Sequence, residues 1–280
     1  MKRIEIIGAP YVGKSTLLKR IGWYKTADSP WITELEEFNY APKQKGYFHL
    51  AQKKILKRYF PHTTFSKRVR YYDGLDYHDI DSSYIDNFKV LLDLCFLKTT
   101  DFKEIKLALI VFHKMIRRIA KLNCYQIHDD RILLVEEFIL HWHLVLLECM
   151  YESKLEPAKW INDEGLSPAG LIFCWADEDV IVERMEFRKQ SNQINKIHVS
   201  KTNQDVIQDV LAKQEIFKTL ASYLQKNKVP VLTVNTGDPY DYHCKLILKF
   251  INSVRVAESL KRKNFASAKS NFVETSIKKN

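Results

Sequence analysis

The chain has 280 residues, 46% apolar and 28% charged, with only eight glycines and eight prolines, which fits a globular protein and excludes long flexible linkers. Its formal charge of +10 favours anionic ligands, but no run of five or more basic residues concentrates that charge. Five cysteines, odd in number and far apart, form no C-x-x-C pair, so neither a zinc site nor a disulfide framework is suggested; buried thiols in a reducing compartment are expected.

The first predicted element is a short apolar strand over Ile4–Ile7, which runs into Gly8-Ala9-Pro10-Tyr11-Val12-Gly13-Lys14-Ser15-Thr16 and then a helix over Lys14–Trp23. Strand, G-x-x-x-x-G-K-S and helix in that order is the pattern of a phosphate-binding P-loop. Gly8 and Gly13 permit the backbone turn, and the loop amides together with the helix N-terminus face an anion. Lys14 is expected to reach the β- and γ-phosphates and Ser15 to ligate Mg²⁺. These features predict a nucleoside triphosphate as ligand.

Further along, Ser29–Glu34 suggests a short second strand, Lys43–Phe60 is weakly helical, and Pro61–Ser83 is polar and aromatic without clear periodicity. Within it, Arg68, Arg70, Tyr71, Tyr72 and Asp73 form a basic-aromatic patch, either a solvated loop or an acceptor contact. Ile85–Leu97 and Phe102–Asn123 show the three-and-four spacing of packed helices. Arg131–Glu136 is an apolar run ending in acid, as a buried parallel strand would be. The following Phe138–Tyr151 is an apolar helix and offers an interface for a homo-oligomer. Its His141 and His143, two apart, fall on different helix faces, which disfavours a shared metal and favours satisfied core histidines. Interrupted by these histidines and Glu148, it is no membrane span.

A P-loop enzyme needs a carboxylate at the end of a second buried strand, and Glu136 is placed to serve the Mg²⁺ side. Its neighbour Glu137 would polarise the acceptor or attacking group; alternatively, both acids merely open the next helix. Leu171–Trp175 reads as the next strand and Asp177–Gln190 as a helix carrying Arg184 and Arg188 on one face. Two guanidinium groups there would stabilise a migrating phosphoryl group, or else pair with Glu183, Glu186 and the strand-end acids. The polar stretch 189–201 suits a lid. Thr202 with Asp205 forms a capping-box start for a helix over Asn203–Lys226, Val229–Val234 is a last strand, and Tyr240–Val256 a closing helix. The Lys-, Asn- and Ser-rich residues 257–280 read as a basic, disordered tail.

Strand, Glu178, Arg184 and Arg188, lid, long helix, Val229–Val234 and terminal helix together resemble the second half of the nucleoside and nucleoside-monophosphate kinases, deoxynucleoside and thymidylate kinases included. The resemblance covers the P-loop and residues 131–256. It implies a P-loop NTPase three-layer α/β fold with a central parallel sheet of about five strands, a helix-rich acceptor side over 24–130, a lid, and ATP·Mg²⁺ as donor. It also implies that lid arginines clamp the phosphates and that Asn235–Pro239 lies near the base. Glu34, in Thr33-Glu34-Leu35-Glu36-Glu37-Phe38, would correspond to the general base of an E-P-x-x-x-W segment, although the proline is missing and Phe38 replaces tryptophan. The D-R-[YS] or E-R-S signature is replaced by Glu136-Glu137-Phe138, which suits a divergent kinase acting on another hydroxyl, such as a sugar or glycan precursor.

The function expected is γ-phosphoryl transfer from ATP to a hydroxyl or phosphate of a small molecule. A P-loop ATPase or nucleotide switch acting on a protein partner is the alternative; Val234–Asp238 lacks the lysine of a guanine-reading N-K-x-D segment. No specific nucleic-acid partner is expected, for want of a basic and aromatic stripe. With the first strand starting at once, a cytoplasmic protein is expected.

Overall fold

Buried apolar runs too short for helices pair here into one sheet. The computed structural model describes residues 2–26, 28–33, 131–136, 140, 167–191 and 202–277, with side chains up to Leu260. Its strands are β1 (Arg3–Ile7), β2 (Trp31–Thr33), β3 (Ile132–Glu136), β4 (Gly170–Trp175) and β5 (Val231–Asn235). They form a five-stranded sheet in the order β2-β3-β1-β4-β5, with every pairing parallel. Among the described residues, the helices with defined bounds are α1 (Lys14–Trp23), α2 (Glu178–Gln190), α3 (Asn203–Lys226) and α4 (Tyr240–Ile277).

The alternation of side chains along β1 decides how the layers form. Ile4 and Ile6 point to one face, where they meet Leu17 and Ile21 of α1 and Cys244, Ile247, Ile251 and Val254 of α4. Ile7 points to the other face, with Leu171 and Phe173 of β4, Leu140, and Phe217, Leu220 and Leu224 of α3. Thus α1 and α4 present apolar residues at three-and-four spacing to the Ile4 face, whereas α3 gives Val206 and Val210 to that cluster and Phe217, Leu220 and Leu224 to the other. The result is a three-layer α/β arrangement. Full burial of Ile4 and Ile6, both 0% exposed, contributes roughly 1.5–3 kcal/mol each.

Strand order positions the site. From the central β1, the chain builds β2 and β3 on one side and β4 and β5 on the other. The carboxyl end of β1 therefore lies at the point where the direction of winding reverses, and a crevice opens there. Register brings Ile6 beside Glu136 of β3 and Ile7 beside Phe173 of β4.

Most boundaries shift by one or two residues from the sequence-based expectation, and two of the shifts have a clear physical cause. β5 begins at Val231, because Pro230 has no amide N–H to give the ladder, although its carbonyl accepts from Leu171 N at 2.9 Å. More substantially, α4 continues through residues 257–277, expected to be a disordered tail, and ends at Ile277. That stretch contains neither glycine nor proline and is supplied with Ala, Lys, Leu and Glu, so nothing in it stops a helix already nucleated by packing.

Candidate functional site

The loop between β1 and α1 turns on residues that tolerate unusual backbone angles. Gly8 has φ of 155°, and a Cβ built there would lie 2.3 Å from the carbonyl oxygen of Cys174 on β4. Only glycine lets the loop press this closely on the neighbouring strand. Gly13, with φ of 91°, occupies the N-cap of α1. Tyr11 between them is also left-handed, at φ 65°, a conformation uncommon outside glycine. No described side chain caps α1 and no acid occupies its first turn. Its leading amides therefore have neither an N-cap side chain nor an acid of the helix's own first turn to answer them.

Lys14 is 5% exposed and folds back across the loop. Its ammonium donates to the carbonyls of Gly8 at 2.8 Å and Ala9 at 3.0 Å. The Ser15 hydroxyl donates to Oε1 of Glu136 at 2.6 Å, a short contact of the kind an ionised acceptor makes. Serine and glutamate are separated by 121 positions; the β1–β3 ladder closes that gap. Thus Lys14, Ser15 and Glu136, three residues singled out by their motifs, share one corner of the crevice.

Among the described residues no three His, Cys, Asp or Glu side chains converge as a metal cage. Ser15 and Glu136 offer two hard oxygen donors in contact, a set that suits Mg²⁺ sharing its remaining ligation with phosphate and water. Cys174, beneath the loop, does not enter this chemistry. Burial pushes its thiol up to about 12, with the Lys14 ammonium pulling down and the Glu136 carboxylate pushing up by smaller amounts. Burial likewise raises Cys244. Both are free thiols, protonated at neutral pH and inert as nucleophiles.

The two arginines of α2 part company. The Arg184 guanidinium donates through Nη1 to the carbonyl of Val12 at 2.9 Å and the Thr236 hydroxyl at 2.9 Å. Through Nη2 it donates to the Thr236 carbonyl at 2.6 Å and, more weakly, to the Tyr240 hydroxyl at 3.3 Å. It is a strut joining the Gly8–Gly13 loop to the turn between β5 and α4. One turn later, Arg188 lies with its guanidinium carbon 5.2 Å from the centre of the Tyr11 ring, within cation–π range. The sequence places both arginines on one helix face, where they would meet one phosphoryl group; in the structure Arg184 is held through both terminal nitrogens by protein oxygens and Arg188 rests over the loop.

Thr236 was not singled out by the motifs, only included in a loop. Its buried hydroxyl donates to the Val12 carbonyl and sits 3.2 Å from the Trp175 carbonyl. The available signal was a threonine at the end of β5, beside Gly237, in an otherwise polar turn. Asn235 steadies the same turn, accepting from Gly237 N at 3.0 Å and donating to Asp177 at 3.3 Å.

Other expectations fall on residues outside those described. Glu34 and Glu137 are among them, as are the basic-aromatic patch at 68–73, His141, His143, the apolar helix at 138–151 apart from Leu140, and the 192–201 part of the lid. Lys189 and Gln190 belong to α2. A separate concavity of about 400 Å³ lies between α3 and the β4–β5 edge, lined by Phe173, Trp175, Gln214, Lys218, Val231 and Thr233. None of the predicted site residues borders it. No described helix is long and apolar enough to cross a membrane.

No protein-family model and no curated protein matches the chain. A crystal structure of TT1252 from Thermus thermophilus aligns with 92% of this chain and 98% of its own, at 18% identity and a TM-score of 0.36. A likeness of that degree informs neither the chemistry nor the partners of this protein.

Proposed function

We propose that the chain is an ATP-dependent phosphotransferase that moves the γ-phosphoryl group to a hydroxyl or phosphate of a small molecule, in a cytoplasmic setting. The observation that carries this reading is the meeting of Lys14, Ser15 and Glu136 beside an uncapped helix N-terminus at the winding reversal of the sheet. In the reaction, an acceptor oxygen forms a bond to the γ-phosphorus, the bond from that phosphorus to the β–γ bridging oxygen breaks, and ADP departs. The amides of the Gly8–Gly13 loop and Lys14 would hold the phosphate oxygens, with the ammonium leaving the carbonyls of Gly8 and Ala9 to do so. When bound, Mg²⁺ would supply charge neutralisation at the β- and γ-oxygens, held on the protein side by Ser15 and Glu136. Arg188 would add positive charge from the α2 side once it swings off Tyr11. The acceptor's proton passes to a base, for which the candidates are Glu137 and Glu34. Nucleosides, nucleotides and sugar or glycan precursors are the acceptor classes to test.

Arg184 favours a second reading. By tying the phosphate-side loop to the β5–α4 turn, it offers a route by which nucleotide occupancy would reach a distant surface, as in an ATPase or switch that regulates a protein partner. Calorimetry of ATP binding with and without Mg²⁺, followed by ADP release against a panel of nucleosides, nucleotides and sugars, separates these possibilities. Binding plus stimulation by one acceptor class supports phosphotransfer. Binding with slow, acceptor-independent hydrolysis supports the switch. Absence of any binding heat, confirmed by an unchanged melting temperature, sinks both.

A further inference from the structure

A buried carboxylate on the central strand has no part in the site as described so far. Glu5 of β1 is 0% exposed, in a position where an apolar side chain would complete the strand. Removing a charge from water costs several kcal/mol unless partners replace the lost hydration. Glu5 has two. Its Oε1 accepts from Nε of Arg3, itself 3% exposed, at 2.8 Å. Its Oε2 accepts from the backbone N–H of Leu140 at 2.9 Å.

The second contact crosses 135 positions and lands on a telling place. Leu140 is four residues beyond Glu136. In the β1–β3 ladder Glu5 stands opposite Val135, and the next pair is Ile6 with Glu136. The chain leaving β3 is therefore held at both ends of a short stretch. At one end the ladder and the Ser15 hydroxyl hold Glu136; at the other the Glu5 carboxylate holds the main chain of Leu140. A carboxylate that must meet a small, geometrically demanding cation needs such support, because a loosely tethered ligand spends most of its time out of position.

We propose that Glu5 is a positioning residue: by gripping the Leu140 amide from beneath the sheet it sets where Glu136 stands for the metal–nucleotide complex. This rests on the phosphotransferase reading above. Arg3 supplies the countercharge that lets the carboxylate remain buried, whereas the reach to Leu140 supplies the function.

Glu5→Asp keeps the charge for Arg3 but retracts the carboxylate by one methylene from Leu140. Glu5→Met removes the grip altogether. ATP affinity is measured calorimetrically for folded wild type and both variants, in excess Mg²⁺ and in EDTA. In wild type, Mg²⁺ tightens binding. In both variants that tightening falls by roughly tenfold, the scale on which outer-shell partners of metal ligands act, whereas the EDTA affinity stays within about twofold of wild type. An unchanged Mg²⁺ response in either variant, or an equal loss in EDTA, overturns the proposal and leaves a plain stabilising ion pair.

Should the variants fail to fold, hydrogen exchange on the wild-type chain decides. If the Glu5 contact helps to place the metal ligand, then ATP with Mg²⁺ must protect the Leu140 amide more than ATP in EDTA does, because coupling between two sites is reciprocal. Equal exchange rates overturn the proposal. A wild-type chain that binds no ATP under either condition removes the phosphotransferase reading and this inference together; ATP binding without the predicted pattern removes this inference alone.

Discussion

The helices α1 and α3 meet the same backbone requirement in opposite ways. Each starts with amide donors that the helix itself cannot satisfy. At α3 the chain closes them internally. The Thr202 hydroxyl accepts from Asp205 N at 3.2 Å, and the Asp205 carboxylate accepts from Thr202 N at 3.3 Å, a complete capping box. At α1 the N-cap is Gly13, which has no side chain to give, and the first turn carries no acid. The difference separates a helix start that the chain closes for itself from one that it leaves open. A capped start is neutralised by its own residues; an uncapped one keeps its partial positive charge for an anion, and only α1 also carries Lys14 and Ser15 into the crevice beside β1.

The contrast can be broken most severely at Lys14. Lys14→Ala is expected to lower acceptor-dependent ADP release by about 10²–10³-fold, the range for removal of one preorganised donor from a charge-stabilising site. Residual turnover near wild type would mean that the open helix start is not the phosphate site. The two arginines of α2 come next in size. Arg184→Ala should cost about 1–3 kcal/mol of folding stability, since it strands the Thr236 carbonyl and removes one of two donors from the Val12 carbonyl, and should weaken ATP binding with it; thermal unfolding and calorimetry read both. Arg188→Ala should instead lower turnover by roughly tenfold while costing at most about 1–2 kcal/mol of stability, the worth of a cation–π contact onto a buried ring. Identical profiles for the two variants would erase the division between strut and catalytic arm. The smallest effect belongs to α3. Thr202→Ala should cost about 1 kcal/mol, as loss of an N-cap side chain does, with ATP affinity unchanged. A shift in affinity there would show that the two helix starts are not independent.

What could be read from the chain divides along the range of the interactions. Gly8, Gly13, Lys14 and Ser15 were legible because a turn, a helix start and their chemistry occupy a few consecutive positions. Glu136 was legible because an acid ending an apolar strand is a local signal, and the three-layer parallel fold because apolar runs alternate with amphipathic segments. Arg184 was legible as a residue but not as a strut, because its oxygens come from Val12, 172 positions away, and Thr236, 52 positions away. Nothing local distinguishes it from Arg188. Glu5 passed as part of an apolar strand, because Leu140, the partner that gives it meaning, stands far off in the chain. The long α4 was misread for a different reason. Its distal residues look like a solvated tail by composition, yet a helix propagates through polar residues wherever no glycine or proline interrupts it.

One detail of the loop bears on how tightly any nucleotide can bind. The Lys14 ammonium already grips the carbonyls of Gly8 and Ala9, so an arriving triphosphate meets a seat that is taken by the protein's own oxygens. The affinity of such a ligand would be the net result of an exchange, in which the contacts to the Gly8 and Ala9 carbonyls are given up for contacts to phosphate. Because Lys14 is already only 5% exposed, such an exchange would carry little further dehydration of its ammonium.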